Sequence, residues 1–231
     1  MSTRVQLQPA FVLHRRKYRE TSLLVELFTV DYGRVTAVAR GVRCARTRTP
    51  LELFTPFLLS WQGRGELVTL TQIEVEGAIG LLRGDGLLAG FYLNELLVRL
   101  LQKSDPHSQL YVLYHDTLRK LQASSLEQRV LRLFEKRLLQ ELGYGVLSQL
   151  TRVHQEFLPN KYYRFVSEQG FILCEPDSLS EPIFSGKSLL AFALETWHDD
   201  CTLRDAKRLV RIMLEPLLGG RPLYSRQLFI R

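Results

Sequence analysis

Hydrophobic and polar positions follow two different periods along this chain. Up to about residue 80, apolar residues alternate with polar ones in short runs, as in LVTLTQIEV at 67–75. A period of two is typical of β-strands. Turns that contain glycine, at 31–33 and 62–65, separate neighbouring runs. The pattern predicts five antiparallel strands, at about 10–13, 23–27, 34–39, 53–61 and 67–75.

Five short strands in succession predict a small barrel, because closure leaves no exposed sheet edge. We favour an OB-type barrel. An SH3-like barrel or an open meander would have a similar order of strands and turns, so the alternation by itself leaves these two alternatives open.

From Leu87 onward, apolar residues recur every three or four positions, which is the period of an amphipathic helix. Four glycines between 80 and 90 mark the change and predict a domain boundary near residue 80. Helices are predicted from 87, at 106–121, before Gly143, and at about 187–197 and 203–218. Residues 144–176 look irregular or weakly β, with a hairpin predicted from 162–166 and 171–173.

The predicted fold class is therefore α+β and multidomain. A five-stranded OB-fold β-barrel is expected in residues 1–80. A mainly α-helical C-terminal domain with a small irregular or β insertion is expected in residues 81–231.

Positive charge is concentrated at the two ends of the sequence. The 231 residues carry 31 Lys and Arg against 24 Asp and Glu, a net charge of +7. Residues 1–48 hold ten of these basic residues and three acids, residues 203–231 hold seven and two, and the middle is net acidic. Such a division concerns partners rather than fold, and a polyanion bound along a basic face is the leading explanation.

Motifs for catalysis or metal binding are weak. The segment 184–188, FSGKS, resembles the end of a phosphate-binding loop, but Glu181 stands where that loop needs a glycine. A helix start capped by serine explains it better. Cys44, Cys174 and Cys201 are far apart and form no CxxC pair. We predict no catalytic residue, metal or cofactor, and no membrane span, since no apolar run approaches ~20 residues.

Two basic clusters remain as candidate functional residues, and the first lies in the barrel region. Loops of an OB fold flank the groove in which a nucleic-acid strand lies, and cations there contact phosphates. The predicted contacts are Arg15, Arg16, Lys17, Arg19, Arg34, Arg40, Arg43, Arg46 and Arg48. Tyr18, inside the basic run, is a candidate for stacking on a base.

The second cluster lies on the last long predicted helix. Arg204, Lys207, Arg208 and Arg211 occur at i, i+3, i+4 and i+7, so they form one stripe. A merely solvated helix face would more often mix acids with its bases. The stripe therefore favours a polyanionic partner.

Several stretches resemble the RecO family of bacterial recombination mediators, and they follow the family's order through most of the chain. They are AFVLHRRKYRETSLLVELFTVDYGRVTAVARGVR (10–43), LELFTPFLL (51–59), FYLNELLVRLL (91–101), LFEKRLLQELGYG (133–145) and LGGRPLYSRQLF (218–229). The resemblance implies binding of single- and double-stranded DNA, strand annealing, and partnership with RecR and the single-strand DNA-binding protein, SSB. Together these partners load recombinase onto coated DNA during repair, which is not catalysis.

The resemblance also implies two sites. Many members carry a four-cysteine zinc site; here only Cys174 stands where a CxxC could be, so we expect a zinc-free version of that module at about 144–176. The SSB tail is acidic and hydrophobic, and it needs an apolar pocket with a cation. Arg132 matches a basic residue in relatives and, with Leu131 and Phe134, is the predicted tail-binding site. An ordinary surface arginine is the alternative.

The prediction is a cytoplasmic, nucleoid-associated DNA-binding repair factor that is not an enzyme. An RNA-binding OB protein of ribosome or RNA metabolism would carry the same charges, because phosphates occur in both nucleic acids. An adaptor whose basic faces bind acidic proteins is a third interpretation.

Overall fold

A computed structural model describes residues 3–43, 51–77, 81–122, 127–144, 157–166, 169–176, 182–197 and 199–228. The chain divides into two compact units. We call Met1–Leu126 with Arg221–Arg231 the barrel unit, and Glu127–Gly220 the helical unit.

Five strands of the barrel unit form a closed barrel. They are β1 (Thr3–Tyr18), β2 (Ser22–Thr29), β3 (Gly33–Ala39), β4 (Pro56–Gly63) and β5 (Leu67–Val75). The strands pair in the order β1-β2-β3-β5-β4, and β4 closes on β1. The pair β3–β5 is parallel and the other pairs are antiparallel. This is the OB-type barrel that we favoured over an SH3-like barrel or an open meander, and its parallel pair β3–β5 departs from the predicted antiparallel arrangement.

Apolar side chains from alternating strand positions fill the barrel. They are Val5, Ala10, Val12, Val25, Leu27, Ala37, Ala39, Phe57, Leu59, Trp61, Val68 and Leu70, and Leu51, which precedes β4, joins them. The strand β1 pairs with both β4 and β2, and register shifts between Val5 and Gln8 and between Val12 and His14 interrupt its pairing. Such bulges bend a strand.

The remaining elements are mostly helical. They are α1 (Gly84–Leu100), α2 (Ser108–Lys120), α3 (Gln128–Glu141), β6 (Tyr162–Val166), β7 (Gly170–Cys174), β8 (Ile183–Ser185), α4 (Gly186–Leu194), α5 (Asp200–Leu217) and α6 (Tyr224–Gln227). The predicted fold class, a barrel followed by a mainly helical region with a small sheet, is confirmed. Among the described residues, no helix has both the length and the apolar character of a membrane span.

The helices α1 and α2 pack against the outer face of the barrel. Ring centroids of Phe11 and Phe28 lie 5.4 and 5.5 Å from that of Tyr111. The Asn94 amide donates a hydrogen bond of 2.8 Å to the Leu13 carbonyl in the second bulge of β1. Because of these contacts, the compact units divide after residue 126, whereas the spacing predicted a boundary near 80.

The Tyr114 hydroxyl donates to Asn94 Oδ1 inside this contact, and both side chains are buried. Tyr114→Phe is expected to lower the free energy of unfolding by about 1–2 kcal/mol, because the buried oxygen loses its donor. Urea unfolding at about pH 7 measures this loss. An unchanged midpoint would contradict the assigned hydrogen bond.

The same variant carries a pH signature. Burial raises the pKa of Tyr114 well above its usual 10.0. A phenol with a raised pKa in the folded state contributes its stability below the unfolded pKa and loses it as pH rises. Between about pH 9 and pH 11 the wild type should therefore lose more stability than Tyr114→Phe. Equal losses would show that Tyr114 does not contribute to the alkaline transition.

In the helical unit, β6 lies between β7 and β8 in a three-stranded sheet, and α5 packs against α3 and α4. The predicted hairpin is confirmed as β6 and β7, whereas the spacing did not predict β8. Ser185 caps α4 by accepting from the Ser188 amide at 3.1 Å, as predicted. The helix α5 begins at Asp200, earlier than the predicted 203, because the Asp199 carboxylate accepts from the Thr202 amide at 2.7 Å.

Candidate nucleic-acid interface

The end of β1 carries cations to the mouth of the barrel. Lys17 pairs across the strands with Leu23, which in turn pairs with Ala39. Directly paired residues share a face of a sheet. Lys17 therefore lies on the inner face of the barrel, the face that carries the core residue Ala39. Arg16, one position away, lies on the other face of the strand, but at the strand end it lines the same cavity as Lys17.

A cavity of about 400 Å³ opens beside this strand end. We call it the basic groove, and it is lined by Arg15, Arg16, Lys17, Leu23, Val42, Arg43 and Leu51. Its apolar members are the buried Leu51 and the half-buried Leu23 and Val42. Four cations around an apolar lining match a strand whose phosphates are charged and whose sugars and bases are largely apolar.

Four exposed cations in this region have no carboxylate partner in the described part of the chain. Arg16, Lys17, Arg19 and Arg40 are exposed, and among the described residues none has an ion pair with a carboxylate. The Arg19 guanidinium lies over the Tyr18 ring, 5.3 Å from its centroid. Tyr18, the predicted stacking residue, is half-buried. None of these four charges is therefore neutralised by a carboxylate of the described residues.

Arg15 and Arg43 line the groove, but their guanidinium groups donate hydrogen bonds to other residues of the protein. Arg15 donates to the Leu51 carbonyl at 3.0 Å and to Glu52 Oε2 at 2.8 Å. Arg43 donates to the carbonyls of Arg19 and Glu20 at 3.1 and 3.0 Å. Both arginines therefore shape the groove as well as adding charge to it.

Arg34 lies at the opposite end of the barrel from Lys17. It donates to Glu26 Oε2 at 3.0 Å and to the Leu101 carbonyl at 3.1 Å. Its own carbonyl accepts from the Ser104 amide at 3.0 Å. The structure thus gives Arg34 a role in tying the connection between α1 and α2 to the barrel, and we omit it from the groove. Arg46 and Arg48 lie outside the described residues.

The second cluster forms the predicted stripe on α5, in the helical unit. Arg204, Arg208 and Arg211 are exposed, and Lys207 is half-buried. Arg208 lies over the Phe184 ring at 5.3 Å and within 3.4 Å of Asp205 Oδ1. The buried Val210, Met213 and Leu214 lie on the core side of the same helix.

Arg132, Leu131 and Phe134 of α3 are all buried, with 5%, 5% and 0% exposure. Arg132 Nη2 pairs with Glu135 Oε1 at 2.9 Å. Its Nε is buried and has no hydrogen-bond partner among the described residues. The alternative of an ordinary surface arginine is therefore wrong. The role in binding the SSB tail stays a prediction.

In the described part of the chain, no three His, Cys, Asp or Glu side chains come together in a way that could hold a metal ion. Cys174 is half-buried on β7 and Cys201 is exposed on α5.

Sequence reasoning missed the apolar lining of the groove. Leu23, Val42 and Leu51 come from three separate segments, so no local motif links them. The signal that was present is the position of Val42 between Arg40 and Arg43, an apolar residue inside a basic loop.

The closed five-stranded barrel and the mainly helical region that follows it define an α+β protein with an OB-type barrel. The family profile described as Recombination protein O N terminal matches residues 1–78, and Recombination protein O C terminal matches residues 82–227. The chain therefore belongs to the RecO family.

Individual relatives agree over nearly the whole length. The chain is 48% identical to the DNA repair protein RecO of Coxiella burnetii (strain RSA 331 / Henzerling II), over 99% of both chains. It is 46% identical to the DNA repair protein RecO of Nitrosococcus oceani, over 97% of this chain and 93% of the relative. For the protein of the same name from Dechloromonas aromatica the identity is 38%, over 99% and 97%.

Proposed function

We propose that this chain is a DNA-binding recombination mediator of DNA repair. It binds single- and double-stranded DNA, anneals complementary strands, and helps to load recombinase onto DNA coated with SSB. It works in the cytoplasm, at the nucleoid, by binding rather than by catalysis. The DNA repair proteins to which it is similar support this assignment.

The observation that carries the proposal is the basic groove. Its exposed cations lie next to an apolar lining. A single strand offers both complements, since each nucleotide carries one charged phosphate and one unstacked base. A binding surface for an acidic protein would not need an apolar cavity of this size surrounded by cations. The groove therefore supports a nucleic-acid strand over an acidic protein.

The proposed annealing activity is explained by the positive charges of the protein. Two complementary strands repel each other through their phosphates, and cations that neutralise one strand reduce this repulsion. The exposed Arg204 and Arg211 of the α5 stripe are a second set of phosphate contacts. In this proposal, the groove holds one strand and the stripe attracts the other.

Two protein partners belong to the proposal through the family, RecR and the tail of SSB. For the tail, the buried Nε of Arg132 supports a carboxylate-binding role, since it donates to no described residue while Nη2 pairs with Glu135. Because Arg132 is 5% exposed, tail binding requires the surrounding side chains to open.

The test is annealing of complementary DNA oligomers longer than about 16 nucleotides, the upper site size of one OB fold. The wild type should accelerate annealing, both of bare strands and of strands coated with SSB. DNA should compete for binding at least as well as RNA of the same sequence. No acceleration together with a preference for RNA would favour an RNA-binding protein instead.

The double variant Arg204→Gln/Arg211→Gln tests the second contact set. We expect it to slow annealing about 25-fold, since each of the two phosphate contacts contributes about fivefold at 0.1 M salt. Its affinity for one single strand should stay within about twofold of the wild type, because the groove is intact. Unchanged annealing would remove the stripe from the proposal.

A further inference from the structure

We propose that Arg43 is a positioning residue, which holds the turn between β1 and β2 so that its cations face the DNA. The inference rests on the proposed function, and it assigns Arg43 a role different from the phosphate contact expected from sequence. The turn comprises residues 19–21, because Tyr18 pairs with Ser22 as the last pair of the two strands.

Arg43 contacts this turn at three points. Its Nη1 donates to the carbonyl of Arg19 at 3.1 Å and to that of Glu20 at 3.0 Å. Its backbone amide donates to the Thr21 carbonyl at 3.0 Å. All three carbonyls of the turn are thus held by one residue, which follows β3 and is more than 20 positions away in sequence.

The turn needs such support because of its backbone. Arg19 has a φ of +51°, in the left-handed region that residues other than glycine rarely adopt. A strained conformation of this kind persists when surrounding contacts fix it. The hydrogen bond to the Arg19 carbonyl is one of these contacts.

The held segment carries the charges of the groove. Arg16 and Lys17 lie just before the turn, and Arg19 lies in it with its guanidinium over the Tyr18 ring. With the turn fixed, these cations are ordered before DNA arrives, which lowers the entropy cost of binding. Without Arg43, the same cations would have to be ordered by the DNA itself.

The hydrogen bonds also indicate different roles for Arg43 and Arg16. An arginine binds a phosphate best through a two-pronged fork of N–H groups. In Arg43 the Nη1 end of the fork faces the turn carbonyls, whereas Arg16 is exposed and, among the described residues, has no ion pair with a carboxylate. Arg43 therefore acts through the turn, and Arg16 acts on phosphate.

A double-mutant cycle on single-strand affinity tests the inference. Arg43→Ala alone is expected to weaken binding about fivefold without changing the slope of log affinity against log salt. In a background of Arg16→Gln/Lys17→Gln/Arg19→Gln it should have little further effect, because the cations that it positions are gone. A slope reduced by about 0.7, with effects that add in full, would make Arg43 an ordinary phosphate contact and overturn the inference.

Amide hydrogen exchange without DNA separates this inference from the proposed function. Amides of residues 19–22 should exchange faster in Arg43→Ala than in the wild type, while those in the middle of β2 remain unchanged. Equal exchange in the turn would overturn the inference even if DNA binding is found. A wild type that binds no single-stranded DNA would refute the proposed function, and the exchange rates would still decide whether Arg43 holds the turn.

Discussion

Replacing Arg16, Lys17 and Arg40 together by glutamine is expected to weaken single-strand binding about a hundredfold at 0.1 M salt. Each phosphate neutralised by a cation releases about 0.7 counterions from a single strand, which is worth about fivefold in affinity at that salt concentration. All three side chains are exposed and, among the described residues, none has an ion pair with a carboxylate. Glutamine keeps their length and polarity roughly constant, so the loss reports charge.

The matched control removes three charges from elsewhere in the barrel unit. Arg4, Arg64 and Arg83 are exposed and do not line the groove. Their triple glutamine variant has the same net charge as the Arg16/Lys17/Arg40 variant and should bind within about threefold of the wild type. Equal losses in the two variants would show that overall charge, rather than the groove, attracts the DNA. Fluorescence anisotropy of a labelled oligonucleotide measures both affinities.

Gly33→Ala is expected to destabilise the barrel unit by about 3 kcal/mol or more. Gly33 begins β3 with a φ of +60°, and a left-handed backbone costs a residue with a Cβ about 1–2 kcal/mol. A Cβ built there would lie 2.0 Å from the Asp105 carbonyl oxygen. Backbone atoms cannot give way cheaply, so the connection between α1 and α2 would have to leave the barrel.

Gly65→Ala is the matched control for this substitution. Gly65 has a similar φ of +72°, but no atom of the described residues lies within 4 Å of a Cβ built on it. Its cost should be limited to the backbone term, about 1 kcal/mol. Urea unfolding of the two variants measures the difference. Equal destabilisation would mean that the close approach of Asp105 contributes nothing to stability.

The barrel was predictable because its strands alternate. The first half of β1 was missed for a physical reason. Leu7 has a φ of +45° inside a bulge, and its side chain is exposed, so the alternation breaks there. The prediction began this strand at Ala10, where regular pairing with β2 starts. The bulge itself depends on β4, since the Leu7 amide donates to Ser60 Oγ.

The sequence was enough to predict the basic residues that line the candidate site. It was not enough to predict which of them bind other parts of the protein and which remain exposed. Composition locates the arginines, but not the carbonyl that each one contacts. Arg15 reaches Leu51, 36 positions away, and Arg34 reaches Leu101, 67 positions away. Such contacts depend on the closed barrel and its packed helices, so no local pattern distinguishes them from the exposed Arg16.

In the proposed function, the basic groove binds a nucleic-acid strand through its phosphates. A salt titration of the wild type's affinity for a single-stranded DNA oligomer tests it most directly. Four phosphates, neutralised by Arg16 and Lys17 in the groove and by the exposed Arg19 and Arg40 beside it in sequence, predict a slope of log affinity against log salt of about −3 or steeper. An affinity that stays flat as the salt concentration rises would contradict the claim.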